Sequence, residues 1–366
     1  MVRILQVTLD RRYEPLRGGG GVARYIHGLS TELTHLGAKV CVAAYETDDE
    51  GLDYATVAAA GLALWPHIGA ADVLHVHGGR RIDILLAAFL AWIRRRPFIY
   101  TPHAYYGPVR PPSGLPLILW RCREALKAVY NQTAERFLLT CGYRTILLNE
   151  HWVDEVRHRM RLPVRKVAVL PNCTRLADIA PKTRVISGRA ALEILSVGRL
   201  DEVKCLDDVI RALAAPALKT GLFHVVGKGP DRDRLQDLAQ ALGVADRVRF
   251  HGVLSDDAVA DLASRADVFV LPARQEGMPS VIIEMLLRRL PVVSSDIPGS
   301  RAIMDLAGAH WMYPLGDVEA LADQIVKAAG AAVTDEMFER IVAALTWERR
   351  APDFLNLYVA AAGAQS

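Results

Sequence analysis

Two carboxylates stand eight positions apart in Glu276-Gly-Met-Pro-Ser-Val-Ile-Ile-Glu284, and their settings differ. Pro279 suits the first position of a helix, because it has no N–H to leave unpaired and its φ is already helical. Glu276 then falls in the loop before that helix. Glu284 falls among Val281, Ile282, Ile283, Met285, Leu286 and Leu287, a run apolar on nearly every side that predicts a buried helix. A buried carboxylate costs on the order of several kcal/mol unless it is paired or accepts hydrogen bonds. A ligand with two hydroxyl groups would supply them. On spacing alone, backbone amides or a single Arg would serve equally well.

A second charged motif is Ser196-Val-Gly198-Arg199-Leu200-Asp-Glu-Val-Lys204. With a strand ending at Gly198, Arg199 and Lys204 arrive at the carboxyl edge of a sheet, where Arg can grip two phosphate oxygens and Lys adds a point charge. The competing reading is a surface Arg–Lys pair. Arg17-Gly18-Gly19-Gly20-Gly21-Val22-Ala23 opens a helix whose positive end would face an anion, with glycines that let a ligand approach backbone N–H groups. A dinucleotide fingerprint fits poorly, because the glycines begin well beyond the first strand instead of in the tight turn at its end. Val226-Gly227-Lys228-Gly229-Pro230-Asp231 is a further strand-to-helix turn. Asp231 and Asp233 match an Asp-x-Asp pattern, but acidic residues in a first turn simply complement the helix dipole. His75 and His77 share one face of a strand without further metal ligands at supporting spacings, so they read as core or cleft-lining residues. His103 in Thr101-Pro102-His103 follows the next strand.

These residues need a scaffold that gathers the ends of strands. Short Val- and Ile-rich segments alternate with helical patterns throughout, which argues for βαβ units and parallel sheets. Strands are predicted at 3–8, 39–45, 73–77, 98–101, 145–148 and 167–170, then at 192–197, 222–226, 248–251, 268–271 and 291–294. Helices are predicted at 23–36, 82–95, 117–141, 150–160, 232–241 and 256–264, with a last one from Trp347. At 366 residues two domains are expected. The aperiodic stretch 171–188 places the boundary, giving domains 1–172 and 173–345 and a closing helix 346–366.

Composition narrows the function further. Residues 1–165 carry 21 Lys and Arg against 15 Asp and Glu, the remainder 23 against 26. No nucleic-acid module accompanies the basic half, so an anionic membrane or a phosphorylated acceptor suits it better. The segment 112–139 mixes Leu115, Leu117, Ile118, Leu119 and Trp120 with Arg121, Arg123 and Lys127. That mixture fits either an anionic membrane surface or a core helix with a basic face. The start of the chain reads as a strand instead of a signal peptide, and no apolar run spans a membrane, so a cytoplasmic location is expected. The five cysteines have neither zinc nor redox spacing and read as free thiols.

The Glu276–Glu284 stretch, with Leu271–Ile303 around it, resembles the Glu-x7-Glu signature of the retaining glycosyltransferases of family 4. Gly198-Arg199-Leu200 with Lys204, and Thr101-x-His103, resemble further segments of that family. The resemblance covers nearly the whole chain, strongest over 196–303. Departures are Arg288-Arg289-Leu290, where a small residue and Gly are usual, Ala302, where an acidic residue is frequent, and Asn172-Cys173-Thr174 at the usual hinge.

The resemblance implies a GT-B fold: two facing Rossmann-like domains with a cleft between them and a C-terminal helix crossing back. It implies transfer of a hexose from a nucleoside-diphosphate sugar to an acceptor hydroxyl, on a glycan or lipid-linked precursor, with retention and without a metal or other cofactor. His103 and Glu276 would contact the transferred sugar, Glu284 the ribose, and Arg199 and Lys204 the departing diphosphate. Gly19, Gly20, Gly21, Gly227, Gly277, Met278, Pro279 and Ser280 would approach the donor, with His251 and Val253 near its base. Competing readings are a sugar-nucleotide epimerase or hydrolase of the same fold, an inactive donor-binding protein and, more distantly, a nicotinamide dehydrogenase.

Overall fold

The structure, a computed structural model, describes residues 1–8, 10, 12–16, 20–78, 81–103, 130–160, 164–179 and 191–364. It divides into two compact units, one of Met1–Pro171 with Arg350–Ser366, the other of Asn172–Arg349.

In the first unit, β1 (Arg3–Val7), β2 (Lys39–Ala44), β3 (Ala55–Ala58), β4 (Val73–His77), β5 (Phe98–Thr101), β6 (Arg144–Leu147) and β7 (Val167–Val169) form one sheet in the order β3-β2-β1-β4-β5-β6-β7. Every pairing is parallel. Sheets of this kind bury both faces, which is why the strands read as unbroken apolar runs. Helices α1 (Gly21–His35) and α2 (Ile82–Ile93) follow β1 and β4. Ile84, Ala87, Ala88 and Leu90 of α2 pack with Leu5, Leu74, Phe98 and Tyr100 of the sheet. The last helix, Trp347–Gly363, contributes the fully buried Phe354 and Tyr358 to this unit. β3 was not predicted, because Ala-Thr-Val-Ala is weakly apolar and pairs with β2 alone at the edge. Of the predicted helix 117–141, residues 130–141 are helical and the rest lies outside the described residues, as does most of the segment 112–139.

In the second unit, β8 (Glu193–Val197), β9 (Leu222–Val226), β10 (Val248–Gly252), β11 (Val268–Leu271), β12 (Val292–Ser295) and β13 (Met312–Tyr313) are ordered β10-β9-β8-β11-β12-β13, again all parallel. Strand order reverses between β1 and β4 in one sheet and between β8 and β11 in the other. The carboxyl ends flanking such a reversal diverge, and open α/β sheets bind ligands there.

Helices α3 (Asp256–Arg265), α4 (Ser280–Leu287) and α5 (Pro298–Ala307) complete the part of this unit that concerns the site. Pro279 caps α4 from outside with φ −75° and ψ 110°, one residue earlier than the predicted first turn. After α4 the unusual Arg289 takes φ +60°, the conformation glycine adopts most cheaply. Its guanidinium lies 4.2 Å over the Phe338 ring, 2.7 Å from Asp335 and 3.2 Å from the Val333 carbonyl, contacts a glycine could not make.

The loops leaving β8, β9 and β10 are fastened by backbone. Gly198 N–H donates to Val226 C=O at 2.9 Å, Leu200 N–H to Lys228 C=O at 3.0 Å, and Gly227 N–H to Gly252 C=O at 2.7 Å. Gly227 has φ +133°, and a Cβ there would lie 1.8 Å from the Gly198 carbonyl oxygen. Gly227→Ala should therefore destabilise the second unit by about 2 kcal/mol or more. A urea midpoint equal to that of the unaltered protein would show that these loops can separate freely.

Candidate functional site

Arg199 and Lys204 leave β8, and Glu276 leaves β11, so all three stand at the reversal point of the second sheet. The loop after β8 runs through a short 3-10 turn, Glu202–Lys204, into Cys205, which adopts φ 48° and turns the chain into the next helix. This sharp turn brings the Lys204 ammonium onto the Glu276 carboxylate, with which it forms a salt bridge. Their side chains are 22% and 18% exposed. Arg274 N–H donates to Val203 C=O at 2.7 Å and ties the same two loops by backbone. Ser196 Oγ donates to Val270 C=O at 2.6 Å just below them. Arg199 is largely exposed and pairs with Asp201 of its own loop.

The loop bearing Glu276 is fixed from behind. A Cβ at Gly299, in the first turn of α5, would lie 2.4 Å from the Glu276 carbonyl oxygen, so only glycine permits this approach. Asn172 donates from Nδ2 to Met278 C=O at 2.9 Å, while Gly277, Met278 and Pro279 are buried. Ser280 then opens α4, whose first backbone N–H groups point along its axis away from the helix body.

Glu284 departs from expectation. Ile282, Ile283, Met285, Leu286 and Leu287 are buried, but Glu284 is partly exposed, on the same strip of α4 as Val281 and Arg288. That strip is only partly covered, so the carboxylate is not the fully buried group the apolar run predicts. Val253 is exposed. His251 turns its imidazole toward the sheet face, with Nε2 2.8 Å from His224 Nδ1, and His224 Nε2 in turn contacts the Glu193 carboxylate. Burial, then His224, Arg265 and Arg249, hold His251 below its ordinary pKa. With its ring so engaged, the carboxyl-edge contribution of this loop falls to backbone groups. Asp231 pairs with Arg234 at 2.7 Å. The chain Glu193–His224–His251 was not anticipated; only its alternation with apolar residues in β9 and β10 hints at a shared face.

In the first unit Gly19 lies outside the described residues. Gly20 caps α1 with φ −64° and ψ 175°, and a Cβ on Gly20 or Gly21 would meet nothing within 4 Å. Neither glycine is required for packing within the unit. His103 follows β5 with φ +57°, a left-handed residue that costs about 1 kcal/mol or more and is overrepresented at functional sites.

Around His103, itself half-buried, the structure assembles a polar group whose other members are buried. His103 Nε2 is 3.1 Å from His77 Nδ1, and His77 Nε2 is 2.8 Å from Gln6 Oε1. Gln6 donates from Nε2 to Ser30 Oγ of α1 at 2.7 Å. His75 lies between Tyr358 Oη, at 2.6 Å, and Thr101 Oγ1, at 2.8 Å. The Tyr25 ring meets His103 edge-on at 4.6 Å between centroids. The sequence marked the histidines but not Gln6, Ser30 or Tyr358; the one signal was Gln6 as the sole uncharged polar residue in the strand Arg-Ile-Leu-Gln-Val.

Burial holds His75 and His77 well below the usual histidine pKa and His103 at about 3. In an unfolded chain these residues take up protons near pH ~6.5. Below that pH the unfolded state binds more protons than the native one, and stability falls by about 1.4 kcal/mol per pH unit for each such histidine, down to its folded value. Denaturation midpoints measured between pH 7 and pH 5 should decline accordingly, with a shallower decline in His103→Gln. A midpoint flat over that interval would contradict the neutral, buried state.

Residues 19–178 match the family model described as Glycosyltransferase Family 4, and residues 187–334 the model described as Glycosyl transferases group 1. A 2-deoxystreptamine N-acetyl-D-glucosaminyltransferase of Streptomyces fradiae is 30% identical over 308 residues, covering 78% of this chain and 68% of that protein. A lipopolysaccharide core biosynthesis glycosyltransferase, LpsE, of Rhizobium meliloti is 32% identical over 163 residues, covering 44% of this chain; the match spans 47% of that relative's length. Among solved structures, a sucrose-phosphate synthase from Thermosynechococcus elongatus superposes with a TM-score of 0.76 at 20% identity over 100% of both chains. An Anabaena protein, HepE, in complex with UDP, superposes with a TM-score of 0.75 at 16% identity over 98% of this chain and 100% of that one. Two parallel-sheet units with these matches are the GT-B architecture, and the chain belongs to the glycosyltransferases of that fold.

Proposed function

We propose that the protein is a retaining hexosyltransferase that moves a sugar from a nucleoside diphosphate to an acceptor hydroxyl on a glycan or lipid-linked precursor. The observation that carries this reading is the Lys204–Glu276 pair at the reversal point of the second sheet, beside the N-terminus of α4. One ligand can satisfy all three features: phosphate oxygens for Lys204, Arg199 and the helix N–H groups, and sugar hydroxyls for Glu276. Glu284, partly exposed on α4, is assigned to the ribose diol, His103 to the transferred sugar, and Gly20 and Gly21 to close approach of the diphosphate. Support for a nucleotide-sugar donor comes from the UDP-bound neighbour, and support for a glycan acceptor from the lipopolysaccharide relative. A cytoplasmic location, with the segment 112–139 resting on an anionic membrane, belongs to the same proposal.

In the reaction the bond between the anomeric carbon and the diphosphate oxygen breaks. The acceptor oxygen forms its bond on the same face, and its proton passes to the departing diphosphate. Arg199, Lys204 and the α4 N–H groups stabilise the charge that develops on the leaving group, which is the task a metal ion performs elsewhere. The anomeric configuration of the product, followed by NMR with UDP-hexoses as donors, tests retention directly.

Glu276→Ala should lower kcat/KM by about a hundredfold or more, on the order of 2.7 kcal/mol of transition-state stabilisation. Lys204→Ala should lower it similarly and also destabilise the second unit by about 1–3 kcal/mol, because Glu276 loses its partner. The double variant should recover most of that stability and none of the activity; near-normal turnover in it would refute the assignment. Turnover should also survive excess EDTA, and its abolition, restored by a divalent cation, would require a metal-assisted mechanism.

A further inference from the structure

We propose that Gln6 and His77 are positioning residues that set the tautomer of His103, leaving its Nδ1 as a bare acceptor that selects a sugar hydroxyl over a group without a proton to donate. This rests on the assignment of His103 to the transferred sugar and specifies what that residue can recognise.

The chain of hydrogen bonds begins at a fully buried amide. Gln6 donates from Nε2 to Ser30 Oγ at 2.7 Å, which turns its oxygen toward His77 Nε2 at 2.8 Å. An amide oxygen carries no proton, so His77 Nε2 must supply one. His77 is fully buried and neutral, and a neutral imidazole has a single N–H. Its Nδ1 is therefore a lone-pair acceptor, and the nitrogen facing it at 3.1 Å, His103 Nε2, must be the donor. Burial keeps His103 neutral as well, so its proton is spent on His77 and its Nδ1 is left without one.

The remaining neighbours leave this polarity undisturbed. The His75 ring lies against His77, tilted by 42° with centroids 3.8 Å apart, but its own nitrogens are occupied by Tyr358 Oη and Thr101 Oγ1. Tyr25 packs its ring edge-on to His103 and His77. One amide orientation in β1 is thus transmitted through two imidazoles to the residue after β5. The protein fixes an otherwise ambiguous side chain without placing a charge beside it.

A lone-pair nitrogen accepts from O–H or N–H and has nothing to offer a carboxylate or a fluorine. The transferred sugar should accordingly present a hydroxyl at this point, and a uronic acid with its carboxylate there should be rejected.

The test uses the full chain labelled with 15N-histidine and free of ligand, with long-range proton–nitrogen NMR spectra that separate protonated from bare ring nitrogens. His103→Gln assigns the signals. The expected result is a single His103 tautomer with the proton on Nε2. His77→Asn should preserve it, since the amide oxygen can sit where Nδ1 sat, whereas His77→Leu and the near-isosteric Gln6→Leu should give a tautomer mixture. With a UDP-hexose donor, kcat/KM should fall about tenfold in the two Leu variants and by less than about threefold in His77→Asn. Replacing donor hydroxyls by fluorine one at a time should reveal one position whose loss is large in the unaltered protein and small in Gln6→Leu. A proton on His103 Nδ1, or an unchanged tautomer in folded Gln6→Leu, overturns the relay whatever the enzyme does. A changed tautomer with unchanged kcat/KM overturns the selective role while leaving glycosyl transfer intact. Absence of all transfer activity bears on the proposed reaction, and the spectra then decide the relay on their own.

Discussion

The Lys204–Glu276 salt bridge is the constraint on which the second unit's carboxyl edge depends. Each side chain is only about one-fifth exposed, so each charge has surrendered much of its hydration. The attraction between them offsets that loss only if their geometry is held, since a pair that wanders regains little of the cost. The backbone is arranged to hold it. The Arg274–Val203 hydrogen bond ties the two loops, Gly299 presses on the carbonyl of Glu276, and Asn172 grips Met278 two residues on. A ligand that carries both anionic oxygens and hydroxyl groups can divide this pair while leaving neither charge unpartnered. A ligand with only one of those features would strand the other side chain. Under the proposed function, the pair favours a ligand that offers both chemistries at once.

Close packing of backbone on backbone is what lets three strand ends converge there. Side chains between the loops would act as flexible spacers. Gly227 and Gly229, whose added Cβ atoms would lie 1.8 Å and 2.0 Å from the carbonyl oxygens of Gly198 and Leu200, instead bring the loops after β8 and β9 to hydrogen-bonding distance. Cys205 accepts a left-handed conformation at the same edge. Local strain is compensated by the ladder of backbone bonds around it, which is how a fold keeps a site in one geometry before a ligand arrives.

Most of the scaffold was legible in the sequence because parallel strands leave unbroken Val and Ile runs and the turns between them carry Gly, Pro and Asp. Among the strands that escaped notice, Ala55–Ala58 and Met312–Tyr313 sit at sheet edges with one neighbour each, and Arg12–Tyr13 and Glu46–Thr47 are two-residue strands that, among the described residues, pair only with each other. Lys204 and Glu276 were legible as types, but their salt bridge joins positions far apart in the chain and no local pattern encodes it. The burial of Glu284 was misjudged because an all-round apolar run implies full burial only if every face finds a complete cover, and the strip through Val281 and Glu284 is only partly covered. Gln6 was invisible for a related reason: a single polar residue in an apolar strand acquires meaning only when the register places it beside β4, with Ser30 above it.

The two units use one topological device for opposite electrostatic ends. Both sheets reverse strand order, and both present functional side chains at the carboxyl ends beside the reversal. In the second unit those ends carry the charged side chains of Arg199, Lys204 and Glu276. In the first unit they carry His77 and His103, which desolvation keeps uncharged and which are joined by a hydrogen bond. Under the proposed assignment, a neutral imidazole reads hydroxyl orientation without offering a charge to an anion. Under the proposed function, charge stabilisation falls to Arg199 and Lys204, and discrimination between sugars to a relay of neutral side chains.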